Sequence, residues 1–249
     1  METEFINLTQ ENISTEHLCC IIRSRKPHSG VEKKRQWLLQ RLNEGHVLRK
    51  LNAKATVFIE YAPLSQAWVP IMGENYLYIY CLWVLKDYKG KGYGKNLLEY
   101  CLHDALEKGM SGVCMLGSKT QKAWLSDQSF VKKYGFKVVD TTDYGYELLA
   151  LSFEHQYPYF TQNAKNGTID QQELTIYYDD QCPYIDQSMK KIKDYCDINH
   201  IPLSLIHVET LKQAKELPCV FNNYAVFYQG QFQTVNLLDV SSIKRILKT

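Results

Sequence analysis

Three glycines alternate with basic and aromatic residues in the run Lys89-Gly90-Lys91-Gly92-Tyr93-Gly94-Lys95. That alternation can hold an anion, because glycine lets the backbone bend where a side chain would block it and lets successive N–H groups converge. A helix is expected directly after the run, and its first turn adds unpaired amides and the positive end of its dipole. With lysines on every side the combination suits a diphosphate better than a lone phosphate. The order is neither the GxxxxGK[ST] of a P-loop nor a GxGxxG with an acidic residue about 20 positions on, as a dinucleotide site has. The competing reading is a plain strand-turn-helix junction whose lysines are merely solvated.

Other residues could move protons. Glu60 ends the apolar run VFIEY, where a carboxylate is either a half-buried base or a strand-edge charge, and Glu147 in YELLAL is a weaker rival. Tyr134, Tyr78 and Tyr80 could supply a proton, although in a chain with 18 tyrosines most serve packing. Cys182 stands before Pro183 at the start of an expected helix, a place that favours a thiolate; a thiol that only packs is the alternative. No cysteine pair has CxxC spacing, so no metal ligand is assigned.

The elements that position these residues follow from apolar patterning. Helices are expected at Ser14–Ile22 and Val31–Asn43, and strands at Val47–Leu51, Ala55–Ala62 and Tyr76–Val84. Asn96–Lys108 carries Leu97, Leu98, Cys101, Leu102 and Ala105 on one helical face, and Gly112–Leu116 reads as a buried strand. Residues 156–173, with Pro158 and Asn166-Gly167, read as a linker or short hairpin between a domain at 1–155 and one at 174–249. From Leu174 the order is βαβαββα. The fold class is therefore α/β, with a mixed sheet in the first domain and a smaller second domain.

Composition narrows the partners. The 249 residues carry 29 basic and 27 acidic side chains, a net charge of +2, so no overall field favours nucleic acid or an acidic membrane. No apolar run approaches the 18 or so residues of a membrane span, and METEFINLTQ lacks the order of a signal peptide. Eight scattered cysteines read as reduced thiols, and a cytoplasmic location is expected.

The glycine run, with lysine in its first position, resembles the [Q/R]xxGx[G/A] pyrophosphate loop of the GNAT acetyltransferases. Phe130-Val131-Lys132-Lys133-Tyr134-Gly135-Phe136 resembles that family's FYxxxGF segment, with Val131 where its tyrosine acid usually stands. The resemblance implies a GNAT fold, acetyl-CoA as co-substrate and transfer of the acetyl group to a primary amine by direct attack. It assigns cofactor contacts to Lys89, Gly90, Lys91, Gly92, Tyr93, Gly94 and Lys95, and to the backbone of Trp83, Val84 and Leu85 at the end of the central strand. Glu60 and Tyr134 become the candidate base and acid, and Trp68, Trp83 and Trp124 could line an acceptor pocket.

The second domain resembles a thioredoxin or glutaredoxin, with Cys182-Pro183-Tyr184 in place of the first half of CPYC. Ile185 replaces the second cysteine, and Asn222, Asn223 and Tyr224 stand where a facing proline is usual. The two parts together resemble the bacterial YoaP-like GNAT proteins over nearly the whole chain. A second functional class stays open at this point: a thiol or redox module centred on Cys182, with the first domain only binding CoA.

Overall fold

The computed structural model describes residues 4–18, 20–22 and 26–248. Its contacts divide into two units: one of Met1–Pro27, Arg35–Ala67 and Met72–Tyr159, the other of His28–Lys34, Trp68–Ile71 and Phe160–Thr249. Two short segments that precede residue 155 thus group with the second unit.

Up to residue 152 the elements are β1 (Phe5–Asn7), α1 (Ser29–Leu42), β2 (Val47–Leu51), β3 (Val57–Pro63), β4 (Ile71–Met72), β5 (Tyr76–Val84), α2 (Tyr93–Glu107), β6 (Gly112–Ser118), α3 (Gln128–Lys132), β7 (Lys137–Thr141) and β8 (Tyr146–Ser152). Seven strands form one sheet in the order β1-β2-β3-β5-β6-β8-β7. Aromatic and branched residues fill Tyr76–Tyr80 of β5, where every residue is buried because both faces are covered. On one face α2 buries Leu97, Leu98, Cys101 and Ala105 against Val57, Ile59, Tyr61, Leu77, Ile79, Val113 and Met115. Each leucine so buried contributes about 2 kcal/mol, so the helix is held by its apolar stripe more than by propensity.

Two irregularities in this sheet matter for the site. Parallel pairing of β5 with β6 covers only Tyr76–Tyr78 against Gly112–Cys114, although the strands continue to Val84 and Ser118. Beyond Tyr78 they part, and a gap opens. In the β3–β5 pair the register shifts between Glu60 and Tyr61, which leaves Tyr80 as an extra residue on β5.

The helix expected at Ser14–Ile22 is absent from its described residues, which form turns and bends; residue 19 lies outside them. Asn12 ties the local chain into turns through bonds to Thr9 N and Asn7 O, and Ile21 takes a positive φ of 54°, which no helix accommodates.

The second unit holds α4 (Gln162–Asn166), after the short β9 (Tyr159–Phe160), and then β10 (Leu174–Tyr178), α5 (Tyr184–Ile198), β11 (Leu203–His207), α6 (Leu211–Lys215), β12 (Tyr224–Tyr228), β13 (Gln231–Thr234) and α7 (Val240–Ile246). From β10 onward the elements run βαβαββα. The four strands lie in the order β11-β10-β12-β13, with β10 and β11 parallel and the other pairs antiparallel. Residues 156–173, expected as a linker or short hairpin, hold β9 and α4. Phe160 and Ala164 are fully buried, Thr161 caps α4 by accepting from Ala164 N, and Thr168 bridges to Gln231.

Candidate active site

After β5 the chain makes a single 3-10 turn at Lys86–Tyr88, runs extended through Lys89, and enters the glycine loop. Gly90 and Gly92 have φ of +79° and +82°, a region glycine occupies without penalty. A Cβ built on either would meet nothing within 4 Å, so open space lies over the loop. Gly92 is the N-cap of α2 and offers no side chain to its first-turn amides, which therefore point out of the helix end. Gly94 is packed: a Cβ there would lie 3.4 Å from Phe130 and 3.6 Å from Val84.

Lys89, Lys91 and Lys95 of this loop and the first turn of α2 are all exposed. The Lys91 ammonium sits 5.2 Å from the Tyr88 ring, Lys95 pairs loosely with Glu99 at 3.6 Å, and the Tyr93 ring lies edge-on to Phe5 at 5.9 Å. Open space, convergent amides and surrounding cations fit a diphosphate.

Beside the loop, the end of β5 faces the gap. Leu85 N–H donates to Thr56 O, while Leu82 N–H donates to Ser126 Oγ at 3.0 Å. Strand alternation then turns the backbone of Trp83 and Leu85 toward β3, and that of Leu82 and Val84 toward the gap. Of the three strand-end residues expected to meet a cofactor, Val84 alone presents its backbone there. Leu82 joins it, unmarked in the sequence by anything but its place in an apolar run. The Trp83 side chain is 45 % exposed.

The β6–α3 loop that supplies Ser126 is held by two glutamines. Gln121 Nε2 donates to the carbonyls of Lys122, Leu125 and Ser126, and Gln121 Oε1 accepts from Gln128 N. Gln128, itself buried, donates to Ser118 O and accepts from Ser118 N.

Glu60 is neither half-buried nor at a strand edge. It lies within β3, between β2 and β5, fully buried, with Oε1 3.0 Å from His46 Nε2. Trp37 and Tyr80 close over His46, each with its ring centroid 5.2 Å away. A buried carboxylate is tolerated where such a partner is at hand. Tyr78 is also fully buried; desolvation pushes its phenol well above the usual value, which leaves it a weak acid.

Tyr134 follows α3 with its ring 5.0 Å from Phe130, packed against the α2 side of the core, and Val131 points wholly into that core. Glu147 pairs with Lys132 at 3.3 Å. In the second unit Cys182 is half-buried just before the Pro183 N-cap of α5, and its carbonyl accepts from Ile185 N. The neighbouring Gln181 Oε1 accepts from Asn223 Nδ2 at 2.7 Å.

Two family models match this chain: the acetyltransferase (GNAT) family over residues 12–136, which is half of its length, and the YoaP-like family over residues 202–248. An uncharacterized N-acetyltransferase of Bacillus subtilis (strain 168), YoaP, is 32 % identical over 247 residues, covering 98 % of each chain. The chain belongs to the GNAT acetyltransferase family. Enzymes of this family draw their acetyl group from acetyl-CoA. Among solved structures, the PaiA N-acetyltransferase of Thermoplasma acidophilum in complex with coenzyme A is 20 % identical, covering 61 % of this chain and 100 % of that one at a TM-score of 0.43. A GNAT acetyltransferase of Brucella melitensis in complex with acetyl-CoA is 15 % identical, covering 63 % and 92 % at 0.39. Among the described residues of this GNAT enzyme no helix is long and apolar enough to cross a membrane.

Proposed function

We propose that this GNAT enzyme acetylates a primary amine by direct attack on acetyl-CoA, holding the co-substrate's diphosphate at Gly90–Lys95 and its pantetheine arm against the Leu82 and Val84 backbone. The observation that carries this reading is the pair of left-handed glycines with open space above them at the start of α2, next to the gap between β5 and β6. Acetyl-CoA supplies the activated acyl group. The chain's own residues do the rest: the amides and lysines of the loop bind, the gap orients, and the core behind it excludes water. Glu60, sealed and bonded to His46, fits a structural role better than that of a base meeting the amine.

The domain assignment proposed with this reading is acetyl-CoA binding within 1–155 and a thioredoxin-like second domain at 174–249. The βαβαββα order and the parallel β10–β11 pair beside antiparallel β12 and β13 support the latter. The described cysteines form no disulfide with one another, which fits a reducing, cytoplasmic setting. Calorimetry with CoA tests the loop, and screening amines by CoA release tests the transfer. Changing Cys182 to Ser separates the two functional classes: amine-dependent CoA release persists in C182S if the first unit does the chemistry, and its loss would return the thiol reading.

A further inference from the structure

We propose that Ser126 is a catalytic residue whose hydroxyl donates a hydrogen bond to the departing CoA sulfur. The proposal rests on acetyl-CoA binding in the β5–β6 gap. Ser126 is 8 % exposed, and its Oγ accepts the Leu82 N–H at 3.0 Å on the side of β5 that faces the gap. Among the described residues no acceptor receives the Ser126 O–H. A buried hydroxyl with a satisfied oxygen and an uncommitted proton is uncommon, because buried donors normally find partners. The two glutamines tie down the backbone of its loop, with Gln121 Nε2 donating to Ser126 O. Asp127, the next residue, accepts from Ser129 N and Ser129 Oγ, which anchors the end of the same loop at the start of α3.

The chemistry needs a donor at this place. As the amine nitrogen bonds to the acetyl carbon, the C–S bond breaks and its electron pair moves to sulfur. The nitrogen loses one proton and the sulfur gains one, with water carrying the exchange. Until that proton arrives the sulfur is an anion in a confined gap. Val131 carries no phenol, and the Tyr78 phenol is sealed. The Leu82 amide donating into Ser126 Oγ makes that hydroxyl a stronger donor, since hydrogen bonds in a chain polarise one another.

The test titrates the thiol of bound CoA by its ultraviolet thiolate absorbance, in the wild type and in Ser126→Ala and Ser126→Thr, after calorimetry has measured CoA binding. A hydrogen bond to the anion lowers the bound thiol's pKa by about one unit or more in the wild type and S126T relative to S126A. With an amine found active by CoA release, kcat in S126A falls about 10- to 100-fold while KM for acetyl-CoA stays within about threefold, and S126T restores it. Equal thiol pKa values in all three proteins overturn the proposal, even if S126A is slow, because Ser126 would then only prop its loop. Failure of CoA to bind the wild type overturns the acetyl-CoA reading itself, and calorimetry reports that separately.

Discussion

Gly92→Ala separates the cost of an unusual backbone from the cost of a blocked anion site. Gly92 has φ of +82° with nothing within 4 Å of a built Cβ, so alanine there clashes with nothing and is only strained. Left-handed strain for a non-glycine residue is about 1 kcal/mol, which lowers Tm by about 2–4 °C in a chain of this size. Gly109 provides a matched control: its φ is +62°, a Cβ again meets nothing, and it follows the opposite end of the same helix. Across the 15 residues of α2 that is about 22 Å away. Both variants should therefore lose similar stability in thermal melts. Only G92A should lose CoA affinity, because its methyl stands where a diphosphate approaches the amides. Losing one charge-assisted bond of about 1.5–3 kcal/mol weakens Kd about 10- to 100-fold. Gly92→Glu adds a negative charge and should abolish measurable binding. An unchanged CoA Kd in G92A, or an equal loss in G109A, would refute the assignment of the diphosphate to this loop.

Three further outcomes are expected. Glu60→Ala strands His46 without its partner and should lower stability by about 3 kcal/mol in urea unfolding, while Glu60→Gln, which keeps a partner, should lose less and retain kcat within about threefold; a much larger kcat loss would make Glu60 the base. In the second unit, burial alone would raise the Asp186 carboxyl, but bonds from Lys190, Ser29 and Lys33, with the charge of Lys33, hold it below the usual range. Its stabilisation is present above the unfolded value of about 4 and fades as pH falls through the lower folded value, so the stability gap between wild type and Asp186→Asn should be full at pH 7 and close progressively below about pH 4. A gap that stays constant with pH would remove the carboxylate as its cause. Tyr134→Phe should turn over within about twofold of wild type, since its ring packs beside Phe130; a drop beyond tenfold would reinstate it as the acid.

Much of this fold is written locally. The β5 run, the apolar stripe of α2 and the glycines between them are each read from neighbouring residues, and the structure reproduces their positions within a few residues. What escaped was set by partners distant in sequence. Nothing near Glu60 says that His46, 14 residues earlier, will close on it, and a lone serine gives no hint that a strand amide 44 residues away will find it. The helix expected at Ser14–Ile22 also gave way to distant partners: Glu16 O accepts from Arg35 Nη1, the Glu16 carboxylate pairs with Lys50, and His17 Nε2 lies 2.6 Å from Ala53 O.

The bulge at Tyr80 explains why the strand-end residues expected from sequence differ by one from those that face the gap. Leu77 and Ile79 point into the core beneath α2, and simple alternation would continue with Cys81 and Trp83. The core instead takes Leu82 and Val84. One extra residue on β5 has reversed the alternation, because a strand's side-chain period is two and any single insertion exchanges its faces. Trp83 is thereby turned away from α2 and left 45 % exposed, and the Leu82 and Val84 amides point toward the gap and Ser126. The signature of such a bulge lies in its register with β3, which appears only once the strands are paired. The backbone groups that face the gap are thus fixed by a pairing detail, while the open-faced glycines at the start of α2 are visible in the bare sequence.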